Sequence, residues 1–363
     1  MADTPLRVVD LHCDTALEIQ AGVDLGERNE PGHVDLPRME AGRVGAQLFA
    51  AYVAPVVPMG RAWQHANELL DAVVGQAELH AERLRVVDSV PALRRAWDEG
   101  RIGVILSVEN GHAIEEDWRN LERLRRRGVR AMTLTHSANL SWAGSSGAVD
   151  APGLTAFGRE IVRAMEDLGI LIDVSHVSDA TLADVIRVAR KPFVASHSNA
   201  WSLCPCARNL KDEQLRAIAD AGGMVGINLF PGFLDPGYER ALPEKVGALF
   251  RLYQRIELEH ADDPVARMDA SRKVTARLQA AMRELAVPIE RVCEHIEHMI
   301  EIMGDEAVGF GADLDGVPDL PAGVGGCDVY PRILDLLCER GVGEASLVRI
   351  ASENFLRVLA SAD

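Results

Sequence analysis

Several familiar kinds of partner are excluded by what this sequence has little of. Basic residues are in the minority, 38 against 55 acidic ones in 363 residues, and the net charge is −17. A chain so acidic has no evident face for nucleic acid or an anionic membrane, and neither is expected as a partner. Long apolar runs are missing, so no stretch reaches membrane-spanning length. The opening MADTPLRVVDLH lacks the apolar core of an export signal, and the closing FLRVLASAD lacks the tail that a lipid anchor requires. Cysteine is sparse and scattered (Cys13, Cys204, Cys206, Cys293, Cys327, Cys338), without the density of a disulfide scaffold or any pair of CxxC motifs. A reduced, cytoplasmic protein is expected. No GxSxG, Walker or dinucleotide pattern occurs, which removes the usual serine hydrolases and nucleotide enzymes.

Short apolar runs alternating with amphipathic segments are what the chain does have. The runs end at His12, Val53, Glu109, His136, His176, His197, Phe230 and Asp313. Continuous Val/Ile/Leu/Ala stretches suit strands covered on both faces, as in a parallel sheet. Ser178 is placed to cap one helix, Asp212 to open another that Gly222 ends, and Pro288 and Gly304 to bracket a third. Eight strands in β-then-α order predict a (β/α)8 TIM-type barrel, with a doubly wound open sheet as the structural rival. The whole chain, 1–363, is expected to form one metal-dependent hydrolase domain. Residues 54–101 carry extra helix, and about 231–307, between the seventh and eighth strands, read as a helical insertion over the top of the barrel, a lid or a dimer contact.

Polar residues fall at one end of these strands. His12 and Asp14, Glu109, His136, His176, His197 and Asp313 stand at or just past the carboxyl ends of six of the eight. Active sites of β/α barrels are assembled at that end. Four imidazoles and three carboxylates on one rim can offset their burial cost through divalent cations, and the donor set favours zinc or a similar first-row metal. The ligands suffice for two ions, with Glu109 able to bridge them. Each piece alone has a bland reading: Asp14 or Thr15 as a helix cap, His176 and His197 as core or loop histidines, Asp313 as part of an incomplete calcium-loop pattern. The Cys204–Cys206 stretch reads as a loop. His295 and His298 read as a solvated helix face among glutamates, and the remaining histidines as surface or structural.

The motifs DLHCDT, VENGHAI, MTLTHSANLSWA, DVSHVSDAT, ASHSNAWSLCPCARNL and GFGADLDGVP run in order from residue 10 to about 318. In them the chain resembles the membrane dipeptidase (renal dipeptidase) family of zinc peptidases, within the amidohydrolase-like barrel enzymes, and its bacterial branch in particular. The resemblance implies two Zn2+ per chain, one held by His12, Asp14 and bridging Glu109, the other by Glu109, His176 and His197. It further implies that His136 polarises the scissile carbonyl and Arg208 clamps the substrate's C-terminal carboxylate, with Asn209 beside it in the substrate site. Asp313 would carry the proton from the nucleophile to the leaving amine. The activity implied is hydrolysis of small dipeptides, L-Xaa-L-Xaa and also L-Xaa-D-Xaa, by a metal-bridging hydroxide, with a homodimer plausible by analogy. N-acyl amino acids or other small amides are the alternative substrates, and a catalytically silent binding barrel is the reading from another class. Asn110 replaces a glycine that is common in the family, and NLFPGFLDPGY stands where relatives often carry tyrosines.

Overall fold

The computed structural model describes residues 6–30, 32–260 and 263–363; the first five residues of the expected non-export N-terminus lie outside these. Its strands, all parallel, are β1 (Val8–Cys13), β2 (Val44–Tyr52), β3 (Leu84–Val86), β4 (Ile102–Glu109), β5 (Val129–Thr133), β6 (Leu171–Asp173), β7 (Val194–Ala195), β8 (Met224–Ile227) and β9 (Val308–Phe310). β2 pairs with both β1 and β4, and β1 pairs with β9, so eight strands close into a ring and the open-sheet rival is excluded. The fold is a (β/α)8 barrel. The strand unforeseen in the sequence is β3, which lies within residues 54–101. It pairs with Ile102–Val104, whereas β5 pairs with β4 only from Leu106 onward, so β3 occupies the length of edge that β5 leaves bare.

Alternation along the strands sorts the barrel's contents. Val9, Leu11, Ala46, Leu48, Ile105, Ala131, Leu171, Val194 and Met224 form one apolar cluster, closed at its foot by Phe355, Leu356, Val358 and Leu359 of the C-terminal helix Asn354–Ala362. The same phase carried two to four residues further reaches Glu109, Thr133 and Asp173, which the ladder sets side by side together with Tyr52. Interior packing thus hands over to polar chemistry at the carboxyl ends of the strands. β1 departs from this phase, because its pairing with β2 slips between Asp10 and Cys13.

Between β8 and β9 lie the helices Pro231–Leu234, Pro236–Glu259, Pro264–Arg283 and Glu290–Met303. Val246, Val274, Leu278 and Met282 of this insertion belong to the large apolar cluster that also contains barrel residues. His295, expected on a solvated face, is instead fully buried. Its Nδ1 accepts from the Ala200 backbone at 3.2 Å and its Nε2 faces the Leu234 carbonyl at 3.0 Å, so tertiary packing overrode the glutamates flanking it in sequence. Ser178 caps its helix as expected, accepting from Thr181 N. None of the six cysteines forms a disulfide. Among the described residues no helix is long and apolar enough to cross a membrane.

Candidate metal centre and active site

β1 delivers His12, and the chain then turns into the helix Thr15–Gln20 with Asp14 at its N-cap position. That carboxylate makes no capping bond and approaches His12 Nε2 at 3.8 Å instead. Glu109 ends β4, is 2% exposed, and divides its two oxygens. Oε2 lies 3.5 Å from His12 Nε2, while Oε1 lies 3.2 Å from His176 Nε2 and 3.6 Å from His197 Nε2. Asp313, just past β9, places Oδ1 3.8 Å from His12 Nε2 and accepts from Asn228 Nδ2 at 2.9 Å through Oδ2. Gly316 follows where a Cβ would collide with Asp14 Oδ2 and Asp313 Oδ1, so only glycine lets that turn pass beneath both carboxylates. Asn110, His176, Asp313 and Asp315 all hold left-handed backbone (φ 80, 67, 61 and 63). Such conformations persist in non-glycine residues only where the surroundings enforce them, and they cluster at functional sites.

Burial sets the protonation. It pushes the Glu109 and Asp313 carboxyls up, with His12 opposing the effect in both. It lowers His176 and His197, with neighbouring cationic groups adding to the effect, and lowers His136 to about 3, with Arg208 contributing. For His12 burial alone would act downward, but Glu109 and Asp14 hold it above the ordinary imidazole value. Neutral His176 and His197 keep ring lone pairs available as donors to a cation.

The buried atoms without partners are informative. His12 Nε2, His197 Nε2 and Asp14 Oδ1 are sealed from solvent with no hydrogen bond among the described residues. Burying such groups unpaired is costly, and bound cations would satisfy all three. Three sets bring ligand atoms within 4.8 Å of one another: His12, Asp14 and Glu109; Glu109, His136 and His176; His12, His197 and Asp313. The residues present fit a metal centre of nitrogen and oxygen donors, the kind that zinc and other first-row divalent ions take.

Arg208 is half-buried beside this cluster. Its guanidinium donates to the His197 carbonyl at 2.9 Å and packs 5.4 Å from the Phe233 ring centroid, and its Nε has no partner among the described residues. Asn209 makes no hydrogen bond to the cluster. Its Nδ2 donates to the Cys204 and Phe233 carbonyls, each at 2.8 Å, and so seats the turn that bears Arg208.

Four residues not singled out from the sequence complete the site. Tyr52 places its hydroxyl 3.3 Å from His136 Nδ1, and Asn228 holds Asp313. Ser196 Oγ lies 2.7 Å from His197 Nδ1 and donates to Asp173 Oδ2 at 2.5 Å. That hydroxyl's single proton goes to the carboxylate, so its oxygen accepts from His197 Nδ1–H, which leaves Nε2 bare. In sequence only the closeness of Asp173 and Ser196 to the strand-end histidines hinted at them.

The model of the family described as membrane dipeptidase, peptidase family M19, matches residues 3–363. Among solved structures, a metallopeptidase from Rhodobacter sphaeroides, liganded with a phosphinate mimic of L-Ala-D-Ala, is 24% identical with a TM-score of 0.80 over 99% of both chains. The probable dipeptidase PvdM from Pseudomonas aeruginosa is 23% identical, TM-score 0.79, over 96% of this chain and 97% of its own. A further M19 dipeptidase is 24% identical, TM-score 0.81, over 98% of each. These likenesses show a shared fold.

Proposed function

Belonging to the membrane dipeptidase family (peptidase family M19), this chain is a metal-dependent dipeptide hydrolase, and we propose that it works with two zinc ions on dipeptides bearing a free C-terminal carboxylate. His12, Asp14 and Glu109 would hold one ion, and Glu109, His176 and His197 the other. The observation that carries this reading is Glu109, with one oxygen toward His12 and the other toward His176 and His197. When bound, such ions lower the pKa of a water toward about 7 and polarise the scissile carbonyl.

The chain's own residues do the rest. Neutral His136 offers an N–H to the carbonyl oxygen as it gains negative charge. Arg208 pairs its planar guanidinium with the terminal carboxylate and so fixes the register of the peptide. Asn228 occupies Oδ2 of Asp313, leaving Oδ1 to take the proton that the attacking water loses and return it to the departing amine. One proton moves from water to Asp313 to nitrogen, while the C–N bond breaks and a C–O bond forms. We place the reaction in one hydrolase domain, with the 231–307 insertion shaping the side-chain pockets, and in the cytoplasm, where the six thiols stay reduced.

The test is a panel of L-Xaa-L-Xaa and L-Xaa-D-Xaa dipeptides, with a chelated sample as control and metal content measured alongside. The D-series is included because the Rhodobacter sphaeroides relative was solved with a mimic of L-Ala-D-Ala. Release of free amino acids by protein holding two zincs, abolished by chelation and restored by zinc, is the expected result. Silence across the panel with both zincs bound would overturn the substrate assignment in favour of N-acyl amino acids or other amides.

A further inference from the structure

Distance alone leaves His136 ambiguous. One of its ring nitrogens joins Glu109 and His176 in a group compact enough to hold an ion, and its ring centroid lies 4.3 Å from that of His176. What distinguishes it from His197 is the group on Nδ1. Two hydroxyls converge there, Tyr52 OH at 3.3 Å and Ser137 Oγ at 3.2 Å, and the Tyr52 ring packs against the imidazole with centroids 4.6 Å apart. A phenol's oxygen lone pair is delocalised into its ring, so it donates more readily than it accepts. His136 Nδ1 is the acceptor the Tyr52 hydroxyl has among the described residues. Nδ1 therefore accepts, and in a neutral imidazole the proton must then sit on Nε2.

We propose that Tyr52 is a positioning residue that holds His136 in its Nε2–H tautomer, which takes this imidazole out of the ligand set and makes it a hydrogen-bond donor to the substrate carbonyl. This rests on the dipeptidase reading for the identity of the carbonyl, but not for the tautomer. The logic is the inverse of that at His197, where Ser196 accepts from Nδ1–H and Nε2 is left bare to bind a cation. Two imidazoles in one cleft are thus assigned opposite duties by a hydroxyl that donates in one case and accepts in the other. β2 brings Tyr52 there because the ladder pairs it with Glu109, one strand from the cluster.

Two measurements test this. The first is 15N NMR of the zinc-loaded protein labelled at histidine, with the His136 signals identified by their loss in His136→Asn. A protonated Nε2 and an unprotonated Nδ1 are expected in the wild type, and a shift toward a tautomer mixture in Tyr52→Phe. A protonated Nδ1 in the wild type would overturn the proposal outright. The second is kinetic. Tyr52→Phe should lower kcat roughly tenfold, since misplacing a catalytic tautomer costs rate directly, with KM and the two-zinc content unchanged. In a His136→Asn background the same change should have no further effect. Losses that multiply in the double variant, an unchanged kcat in Tyr52→Phe, or loss of zinc from it would each overturn the proposal. Were the dipeptidase reading to fail, no dipeptide would turn over even in the wild type, and the NMR result would still decide the tautomer.

Discussion

Asp10 and Asp173, just below the rim of the barrel, are as buried as Asp14 and Glu109 at the rim, but they are partnered very differently. Asp10 accepts from His12 N at 2.8 Å, Gln47 Nε2 at 3.1 Å, Ala312 N at 3.1 Å and the Tyr330 hydroxyl. Asp173 accepts from Ser175 N and Ser196 N, both at 2.9 Å, from Thr133 Oγ1 at 2.6 Å and from Ser196 Oγ at 2.5 Å. Among the described residues Asp14 Oδ1 has no donor, and Glu109 has only imidazoles beyond 3 Å. Saturated carboxylates below and starved ones above teach that burial alone does not mark a functional acid. What marks it is burial without partners, and here the lower layer also braces the upper one through the His12 backbone and the Ser196 hydroxyl.

Glu109→Gln gives the largest break in this comparison. Turnover should fall by about a thousandfold or more, with loss of metal, because the carboxylate proposed to hold both ions becomes a neutral amide. The metal-free variant should nevertheless melt no lower than the metal-free wild type, since the amide removes the cost of burying a carboxyl that only imidazoles at 3.2 Å or more offset. Metal analysis and calorimetry on the same samples check both halves, and a marked fall in the melting point would mean that Glu109 braces the fold. Asp313→Asn should cost a few hundredfold in kcat while both metals stay, in line with loss of a proton carrier. Loss of a metal there would make Asp313 a ligand, which its place beside His12 and His197 also permits. Arg208→Met should lower kcat/KM for dipeptides by about thirtyfold, the worth of a charge-assisted pair of ~2 kcal/mol. Unchanged kinetics would remove the carboxylate clamp.

Much of this was legible in the chain because strand order and strand ends are local properties. A parallel strand reads as an apolar run, and its last residue is where polarity begins, so His12, Glu109, His176, His197 and Asp313 could be lined up before any coordinates. What was not legible depends on contacts across the fold. β3 is three residues long and exists because an edge of β4 is free. His295 sits among glutamates in sequence but is enclosed by Ala200 and Leu234, nearly a hundred and about sixty residues away. Tyr52 is 84 residues from His136, and Asn228 is 85 from Asp313. Nothing in the spacing of a hydroxyl or an amide announces such partners.

The saturated layer is sharpened by a smaller effect. Asp10→Asn places a donor among four donors, and should lower the unfolding free energy by about 2 kcal/mol through the bonds it cannot accept, while kcat per zinc-loaded molecule changes little. Urea titration against a per-metal activity assay separates the two. An activity loss without a stability loss would move Asp10 from brace to participant.

The smallest effect concerns His295, which ties the insertion to the segment following β7. Burial lowers its pKa to about 4, against about 6.5 in an unfolded chain. The unfolded state therefore binds a proton that the folded state refuses between those values, and stability falls as pH drops below 6.5, with the loss complete below 4. The expected loss between neutrality and pH 5.5 is about 1.2 kcal/mol. Unfolding free energies measured across this window should decline less steeply in His295→Asn than in the wild type, although the variant starts lower at pH 7.5. Equal slopes would mean that the ring takes up its proton without unfolding. Because Leu234 and Ala200 flank the Phe233 and Asn199 contacts near Arg208, acid should loosen that side of the cleft before it reaches the barrel wall.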